Sequence, residues 1–466
     1  MYKIKSLFID NKWHKSNSKE EINYKNLKKK KIIINNPSKN ELDILIKSSN
    51  YAQEIWKKKS NLEKSKILEL ISKIIKKNQK KIALQEMFDT GKSFTQALDE
   101  IKYCHKLWLY ASKIVLNFKE KKIEINNNTV CKIYNEPIGI TAIIVPWNFP
   151  FIVLSERLPY ILASGCVGII KPSEYASGTL IKFADILKNY KNIPIGIINL
   201  ITGGPKIGAN LVSNKSIKCI SFTGSSLTGK KVMRNASNDL KRLSLELGGK
   251  NPIIIFRDAD LNKATRNVFT SFTHNSGQCC VGASRVFVEE IIFDKFKKHF
   301  KKILKENKKS YQISNFMQYE KIFNYLNKNK LNSNNIFYGE IPRKKDKNFK
   351  IKPIVFENLS LKNNIHKTEL FGPIVTIEKF NDHKNLKKLI DESNYGLAGM
   401  VWTKNSKKAQ IFLKGIQIGR LWINGNIKQN YPNIPIGGFK WSGLGRETGE
   451  NALENYSETK SIIINK

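Results

Sequence analysis

Four short apolar runs between residues 138 and 225 constrain this chain more than anything else in it. Ile140-Thr141-Ala142-Ile143-Ile144-Val145, Val167-Gly168-Ile169-Ile170, Ile197-Ile198-Asn199-Leu200-Ile201 and Cys219-Ile220-Ser221-Phe222 are continuous rather than alternating, and a helical stretch follows each. A strand that is apolar at successive positions has both faces buried, as in the interior of a parallel sheet covered by helices. Open sheets of that kind bind ligands beyond the carboxyl ends of their strands. The segments that follow these runs are therefore candidate site loops: Pro146 to Pro150, Lys171 to Glu174, Thr202-Gly203-Gly204 and Thr223 to Ser225.

At 466 residues the chain is too long for one ordinary core, and a prior of roughly 150 residues per domain suggests two or three units. Residues 40 to 115 read as helices, because Ile46, Ala52, Ile55 and Trp56, then Ile67, Leu70, Ile71, Ile74 and Ile75, recur at helical spacing between Lys-rich faces. Packing without chemistry is the expected role there. Residues 117 to 135 alternate at Ile123, Ile125, Val130 and Ile133 around Asn126-Asn127-Asn128, which reads as a hairpin whose open edges need a partner. A second α/β unit is expected from about Asn251-Pro252-Ile253-Ile254-Ile255 to about residue 440. The Lys- and Asn-rich stretch 301 to 350 reads as trimmed surface helices on which catalysis does not depend.

The net charge of +42 would suit a polyanion partner. Only nine of the 81 basic residues are Arg, however, and the Lys are spread along the whole chain rather than gathered in a patch, so no nucleic-acid partner is expected. No run of 18 apolar residues occurs and the first residues lack the apolar stretch of a signal peptide, so neither a membrane span nor export is expected and a cytoplasmic location is. Six cysteines, with no C-x-x-C pair, are too sparse for a disulfide scaffold or a zinc site. No metal is expected.

The chemistry concentrates in Glu246, within Leu245-Glu246-Leu247-Gly248-Gly249-Lys250, and Cys280, within Gly277-Gln278-Cys279-Cys280. A thiol that attacks and a carboxylate that later activates water are the minimum for acyl-enzyme chemistry. Cys279 competes with Cys280 for the nucleophile's role, and the flanking Gly277 and Gly282 suggest a tight loop. A rival reading comes from Gly224-Ser225-Ser226-Leu227-Thr228-Gly229-Lys230-Lys231, nearly the phosphate loop of an NTPase, but Lys231 stands where a hydroxyl must reach Mg²⁺.

Pro146-Trp147-Asn148-Phe149-Pro150, Lys171-Pro172-Ser173-Glu174, Phe222-Thr223-Gly224-Ser225, the Glu246 and Cys280 segments, Glu369-Leu370-Phe371-Gly372-Pro373 and Pro435-Ile436-Gly437-Gly438-Phe439-Lys440 through Gly445-Arg446-Glu447 occur in one order. In this the chain resembles the NAD(P)-dependent aldehyde dehydrogenases, from Phe8-Ile9-Asp10-Asn11-Lys12-Trp13 to its end. The resemblance implies an α/β fold of two open α/β domains with a β-hairpin oligomerisation arm. Residues 1–116 and 136–249 would bind NAD, 250–440 would carry catalysis, and 117–135 with 441–466 would form the arm and C-terminal segment of a homodimer or homotetramer.

It implies further that Cys280, two residues after the glutamine, is the nucleophile, that the Asn148 side chain and the Cys280 backbone N–H stabilise the alkoxide, and that Glu246 activates the hydrolytic water. The G-x-G-x-x-G fingerprint is absent. Lys171 and Glu174 would hold the adenosine ribose, and Glu174 would repel a 2′-phosphate, favouring NAD with NADP as the alternative. Ser225 at a helix start would contact phosphate. Trp147, Gly204, Thr223, Gly224, Gly229, Leu247, Glu369 and Phe371 would complete the cofactor contacts.

Glu156-Arg157 departs from the aromatic residue and Lys that many relatives carry, and Arg157 beside Glu447 would orient rather than shuttle a proton. Phe149, Glu156 and Cys279, with Tyr103, Trp108, Trp441 and the loop 426–434, would line the substrate pocket. Aromatics with an acid would suit betaine aldehyde or an aminoaldehyde. Lys102 and Lys428 would instead favour an acidic semialdehyde, and a broad aliphatic aldehyde or a non-catalytic oligomeric relative are the remaining readings.

Overall fold

The computed structural model describes every residue except 1, 17, 19, 20, 26–30, 330, 332, 361 and 466. The chain divides into two compact units. One comprises Met1–Leu245, Tyr431–Ile436 and Gly445–Lys466, the other Glu246–Asn430 and Gly437–Leu444. No helix among the described residues is long and apolar enough to cross a membrane.

In the first unit the four apolar runs become the strands Thr141–Ile144, Gly168–Lys171, Ile198–Ile201 and Cys219–Thr223, and all the residues of the second and third are buried. Thr141 pairs with Gly168 on one side and Cys219 on the other, and Gly168 with Ile198, all in parallel register. Within the sheet the order runs Arg242–Glu246, Cys219–Thr223, Thr141–Ile144, Gly168–Lys171, Ile198–Ile201, then Leu7–Ile9 and Lys12–His14. The chain steps outward twice from Thr141–Ile144 and then returns to its other side, so the strand order reverses between Thr141–Ile144 and Cys219–Thr223. Ligands of open sheets bind at that switch point, beyond the strand C-termini.

The expected helices are Lys39–Trp56, Asn61–Thr90 and Phe94–Ile114. Ser38 with Glu41 and Ser60 with Glu63 form capping boxes that satisfy the first free N–H groups of the first two helices, each worth about 1 kcal/mol. The second helix stops at Gly91, whose φ of 78° is the left-handed conformation that releases the chain. Lys92 follows immediately.

The hairpin forms from Lys121–Asn126 and Thr129–Pro137, and its second strand pairs antiparallel with the chain's own Ser457–Asn465, from Ser457 opposite Pro137 to Asn465 opposite Thr129. One edge of the hairpin is thereby covered from within. The three-stranded sheet still exposes Ile123, Ile125, Ile462, Ile463 and Ile464.

The second unit starts with the expected strand, Asn251–Ile255, parallel to both Ala283–Glu289 and Ala398–Trp402. Its sheet continues through Ile374–Phe380 and Ile354–Glu357 on one side and Arg420–Ile423 on the other, all parallel. The stretch 301–350 differs from the surface segment that its composition suggested. Ile313, Tyr319, Ile322 and Leu326 pack with Ile351, Ile354, Phe356, Leu370 and Ile374 into a core of their own. The Lys and Asn residues hide a helical apolar stripe on Phe316–Lys328.

Candidate active site

Within the second unit, the helix Leu261–Thr273 runs into a turn where Asn275, Ser276 and Gly277 are all left-handed, with φ of 48°, 61° and 74°. Glycine is required at 277, since a Cβ there would lie 2.1 Å from the carbonyl of Gly372. Gln278 is buried and clamps the turn. Its backbone N and its Nε2 both donate to the Asn275 carbonyl, at 3.1 and 2.9 Å, and its Oε1 accepts from the Ser314 N–H at 2.9 Å. The stretch 301–350 thus supports the thiol loop, contrary to the expectation that catalysis is indifferent to it.

Asn251 Nδ2 donates to the carbonyls of Cys280 at 2.6 Å and Gly282 at 2.8 Å, while its Oδ1 accepts from the Ala398 N–H. The loop carrying Cys280 is therefore tied to the first strand of the sheet. Cys279 packs its side chain against the core formed by Ile253, Phe272 and Val286. Cys280 takes no part in that core and is partly exposed. Cys279 is partly exposed too, and its carbonyl accepts from the Gly282 N–H at 3.0 Å, so the two thiols differ in that only the Cys279 side chain packs against this core.

Glu246 ends the strand Arg242–Glu246 and is buried, and the backbone beyond it turns back on the same loop. A Cβ on Gly249 would lie 2.5 Å from the Cys280 carbonyl oxygen. The Gly249 N–H donates to Glu369 Oε1 at 2.9 Å, and a Cβ on Gly248 would meet the same carboxylate at 2.3 Å. Leu247 donates to the Ser442 carbonyl, and Ser442 Oγ donates to Gly248 O at 2.8 Å. Gln318 Nε2 donates to the carbonyls of Leu370 and Phe371, so the Glu369 loop, with Phe371 at φ 58°, also rests on the helix Phe316–Lys328. The backbone just beyond Glu246 is thus brought against the loop that carries Cys280, 34 positions further along the chain. Beside it, burial together with the Arg285 charge brings the Lys250 ammonium down to about 7, against the attraction of Glu369.

In the first unit, the loops at the switch point carry Trp147 and Asn148 after one strand and Thr223, Gly224 and Ser225 after its neighbour. Ser225 caps the helix Ser226–Ala236 by accepting from the Thr228 N–H at 3.2 Å, and Gly229 is buried in that helix. Only Gly224 and Ser225 separate strand from helix, too few to form the long cradle of an NTPase phosphate loop. Gly204 caps the helix Pro205–Ser213 and donates its N–H to Asn36 Oδ1.

The residues present fit a dinucleotide. Lys171 is 4% exposed, and its Nζ donates to the Pro172 carbonyl at 3.1 Å. Burial pushes its ammonium downward and Glu174 opposes that. A buried donor with further N–H groups beside a carboxylate acceptor matches the two hydroxyls of a ribose. The Thr223 Oγ1 is buried with no hydrogen-bond partner among the described residues, a second polar atom awaiting a ligand.

Arg157 and Glu447 are both about 1% exposed, and Arg157 Nε lies 3.8 Å from Glu447 Oε1. Glu447 is held firmly, accepting from Tyr456 Oη at 2.8 and 2.9 Å and from Ser244 Oγ at 2.5 Å, with its backbone doubly bridged to Ile436. Arg157 also donates to the Val153 carbonyl and lies 3.3 Å from Glu156 Oε2. Glu156 is consequently an ion-pair partner rather than an acid open to a ligand, which departs from its expected place at a pocket mouth. Trp108 departs as well, being wholly buried against Phe183 with its Nε1 toward Ser155. The Phe149 ring faces the Lys92 ammonium at 4.3 Å.

Sequence reasoning missed Asn251, Ser314, Gln318 and Lys92. Asn251 alone carried a local signal, being a polar residue between Gly-Gly-Lys and the apolar strand Ile253-Ile254-Ile255.

The sequence model of the aldehyde dehydrogenase family matches residues 13–462. Human retinaldehyde dehydrogenase 3 is 33% identical over 480 residues, covering 99% of this chain and 93% of the relative. Aldehyde dehydrogenase [NAD(P)+] 2 of Saccharomyces cerevisiae is also 33% identical, over 98% of this chain and 94% of its own. Among solved structures, an NAD-dependent aldehyde dehydrogenase from Sinorhizobium meliloti aligns with a TM-score of 0.93 at 30% identity, over 100% and 95% of the two chains. Betaine aldehyde dehydrogenase from Staphylococcus aureus, in complex with NAD+, gives 0.93 at 29% identity over 99% and 95%. The chain belongs to the aldehyde dehydrogenase family and is an NAD(P)-dependent aldehyde dehydrogenase.

Proposed function

We propose that the chain oxidises an uncharged aldehyde to its carboxylic acid, with Cys280 as nucleophile and NAD as the preferred acceptor. The observation that supports this mechanism is the close approach of the Gly249 backbone, three residues after the buried Glu246, to the Cys280 carbonyl. The Cys280 thiolate adds to the aldehyde carbon, forming the C–S bond of a thiohemiacetal alkoxide. The resemblance gives the Asn148 amide and the Cys280 N–H the role of donors to that oxygen. When bound, the nicotinamide accepts the hydride that leaves the same carbon, and a thioester remains on Cys280. Glu246 then takes a proton from water, the hydroxide attacks the thioester carbon, and the C–S bond breaks to return the thiolate.

On this reading Leu247, Glu369 and Phe371 serve the nicotinamide end, and Trp147, Lys171, Glu174, Gly204, Thr223, Gly224, Ser225 and Gly229 the adenosine and phosphate end. The first unit is then the cofactor-binding domain and the second the catalytic one, and the exposed Ile residues of the three-stranded arm support a homodimer or homotetramer. Glu174 supports NAD over NADP, since its carboxylate would face a 2′-phosphate. Glu174→Ala is expected to narrow the preference for NAD by roughly tenfold in kcat/KM, one charge contact at partial exposure being worth about 1.4 kcal/mol. A native enzyme that used NADP equally well would remove the argument.

Substrate charge follows from the same contacts. Glu156 is engaged by Arg157 and the Phe149 ring by Lys92, so the two features that would attract a cationic aldehyde already face cations of the chain. Of Lys102 and Lys428, the two lysines that would attract an acidic semialdehyde, Lys102 is paired with Asp99. A cationic aldehyde is the second reading, favoured by the likeness to betaine aldehyde dehydrogenase. A turnover panel of acetaldehyde, a longer aliphatic aldehyde, betaine aldehyde, 4-aminobutanal and succinate semialdehyde decides it. The highest kcat/KM is expected for an uncharged member, and a tenfold advantage for betaine aldehyde or 4-aminobutanal would reverse the choice.

We also assign Arg157 and Glu447 a shared role in orienting water for proton release. An arginine stays protonated throughout the working range. Arg157→Lys is expected to leave folding intact and to move the alkaline limb of the pH-rate profile, because the new cation can titrate. An unchanged limb would reduce the pair to a buried ion pair.

A further inference from the structure

The helices Asn61–Thr90 and Phe94–Ile114 were expected to pack without chemistry, yet the turn between them carries Lys92, whose ammonium is wholly buried. Its Nζ lies 2.6 Å from Glu100 Oε2, 3.2 Å from Glu86 Oε1 and 3.1 Å from the backbone carbonyl of Asn148. Three N–H groups therefore meet three acceptors. Glu100 is steadied in turn by Gln96, whose Nε2 donates to its other oxygen at 3.0 Å. Burial alone would push the Lys92 ammonium downward, but Glu100 and Glu86 outweigh it and the net displacement is upward, so the group stays charged.

Stability alone does not account for this cluster. A buried ion triad is commonly no more stable than apolar residues of the same volume. What the ammonium adds is direction. The Asn148 carbonyl belongs to the peptide joining Asn148 to Phe149, and Phe149, kept out of the helical region ahead of Pro150, has φ −140° and ψ 59°. Holding that peptide plane restricts the rotation about the Asn148 Cα–C bond that would swing its side chain relative to the plane. The Phe149 ring lies against the same ammonium, so both sides of the peptide are held.

We infer that Lys92, with Glu100 and Glu86 behind it, is a positioning residue that aims the Asn148 amide at the oxygen of the reacting aldehyde. The inference rests on the reading of Asn148 as an oxyanion donor. A donor works only if it is set in place before charge develops, and a displacement of about 1 Å can cost roughly 100-fold.

The test is a double-mutant cycle on the full-length enzyme, using the burst rate of NADH formation at saturating NAD and acetaldehyde, or the best aldehyde of the panel. Lys92→Met alone would leave two buried carboxylates facing no cation, so it is combined with Glu100→Gln. Asn148→Ala is expected to slow the burst about 100- to 1,000-fold. The Lys92→Met/Glu100→Gln enzyme should slow it about 10- to 100-fold, with NAD affinity within about threefold of the parent and the circular dichroism unchanged. Added to Asn148→Ala, the same pair should cost no further factor beyond about threefold, because the group it aims is already gone.

Multiplying effects in the combined enzyme, or a normal burst in Lys92→Met/Glu100→Gln, would overturn the inference while leaving Asn148 in its role. A normal burst in Asn148→Ala would instead remove the oxyanion reading, and the inference with it. If the paired substitution does not fold, Glu100→Gln alone removes the shortest ammonium bond and enters the same cycle. It is expected to slow the burst about 3- to 10-fold in the parent and to have no effect on Asn148→Ala; additivity there overturns the inference equally.

Discussion

Cys280→Ala is expected to abolish aldehyde oxidation, lowering kcat by on the order of 10⁴-fold or more, while NAD affinity stays within about twofold of the parent. The size follows from what is lost. Without a thiol no thiohemiacetal forms, and the donors and the carboxylate have no intermediate to act on. The loop itself should survive, because Asn251 holds Cys280 through its backbone carbonyl and Gln278 fixes the preceding turn through backbone and side-chain bonds that alanine leaves in place. Cys279→Ala is the control that separates the two thiols. Its side chain packs against the core of the second unit, so its loss should lower stability by about 1 kcal/mol and turnover by less than tenfold. Measured side by side, an inactive Cys279→Ala with an active Cys280→Ala would reverse the assignment.

The parts of the fold that could be read from the sequence were those where one residue type repeats for a local reason. Continuous apolar runs at 140–145, 167–170, 197–201 and 219–222 could only be interior parallel strands, and they became Thr141–Ile144, Gly168–Lys171, Ile198–Ile201 and Cys219–Thr223. Gly277 announced the left-handed turn before the thiols because no other residue fits against Gly372 there. Residues that act across long separations gave no such signal. Asn251 reaches a carbonyl 29 positions away, and Gln278 takes its Ser314 partner from a stretch whose Lys and Asn content suggested only solvent. Charge misled in a second way. Lys92, Glu86 and Glu100 look like a solvated helix face in a chain with 81 basic residues, and only the packed helices show that their charges meet one another. In the sequence Glu156 has the character of an acid for a ligand, and only the fold shows that Arg157 beside it neutralises it.

Glu246→Gln is expected to separate the two halves of the reaction. Thiohemiacetal formation and hydride departure need the Cys280 thiolate and the oxyanion donors, so one equivalent of NADH should appear per active site at a rate within about fivefold of the parent, the range left by losing a nearby charge rather than a reacting group. Hydrolysis of the thioester needs a base. Glutamine keeps the shape of the buried side chain but cannot take a proton from water, and steady-state turnover should fall about 100- to 10,000-fold, the range assigned to a positioned general base. The acyl-enzyme should then accumulate, visible as an acyl adduct on Cys280 by mass spectrometry of protein quenched in acid. Glu369 is the other carboxylate whose loop touches this backbone, through the Gly249 N–H, and it provides the contrast. Glu369→Gln weakens that bond without removing a base, so it should slow the burst and the steady state together and leave no acyl adduct. A Glu246→Gln enzyme that turns over normally, or one that loses the burst as completely as the steady state, would show that the hydrolytic base lies elsewhere or that Glu246 acts before the thioester is made.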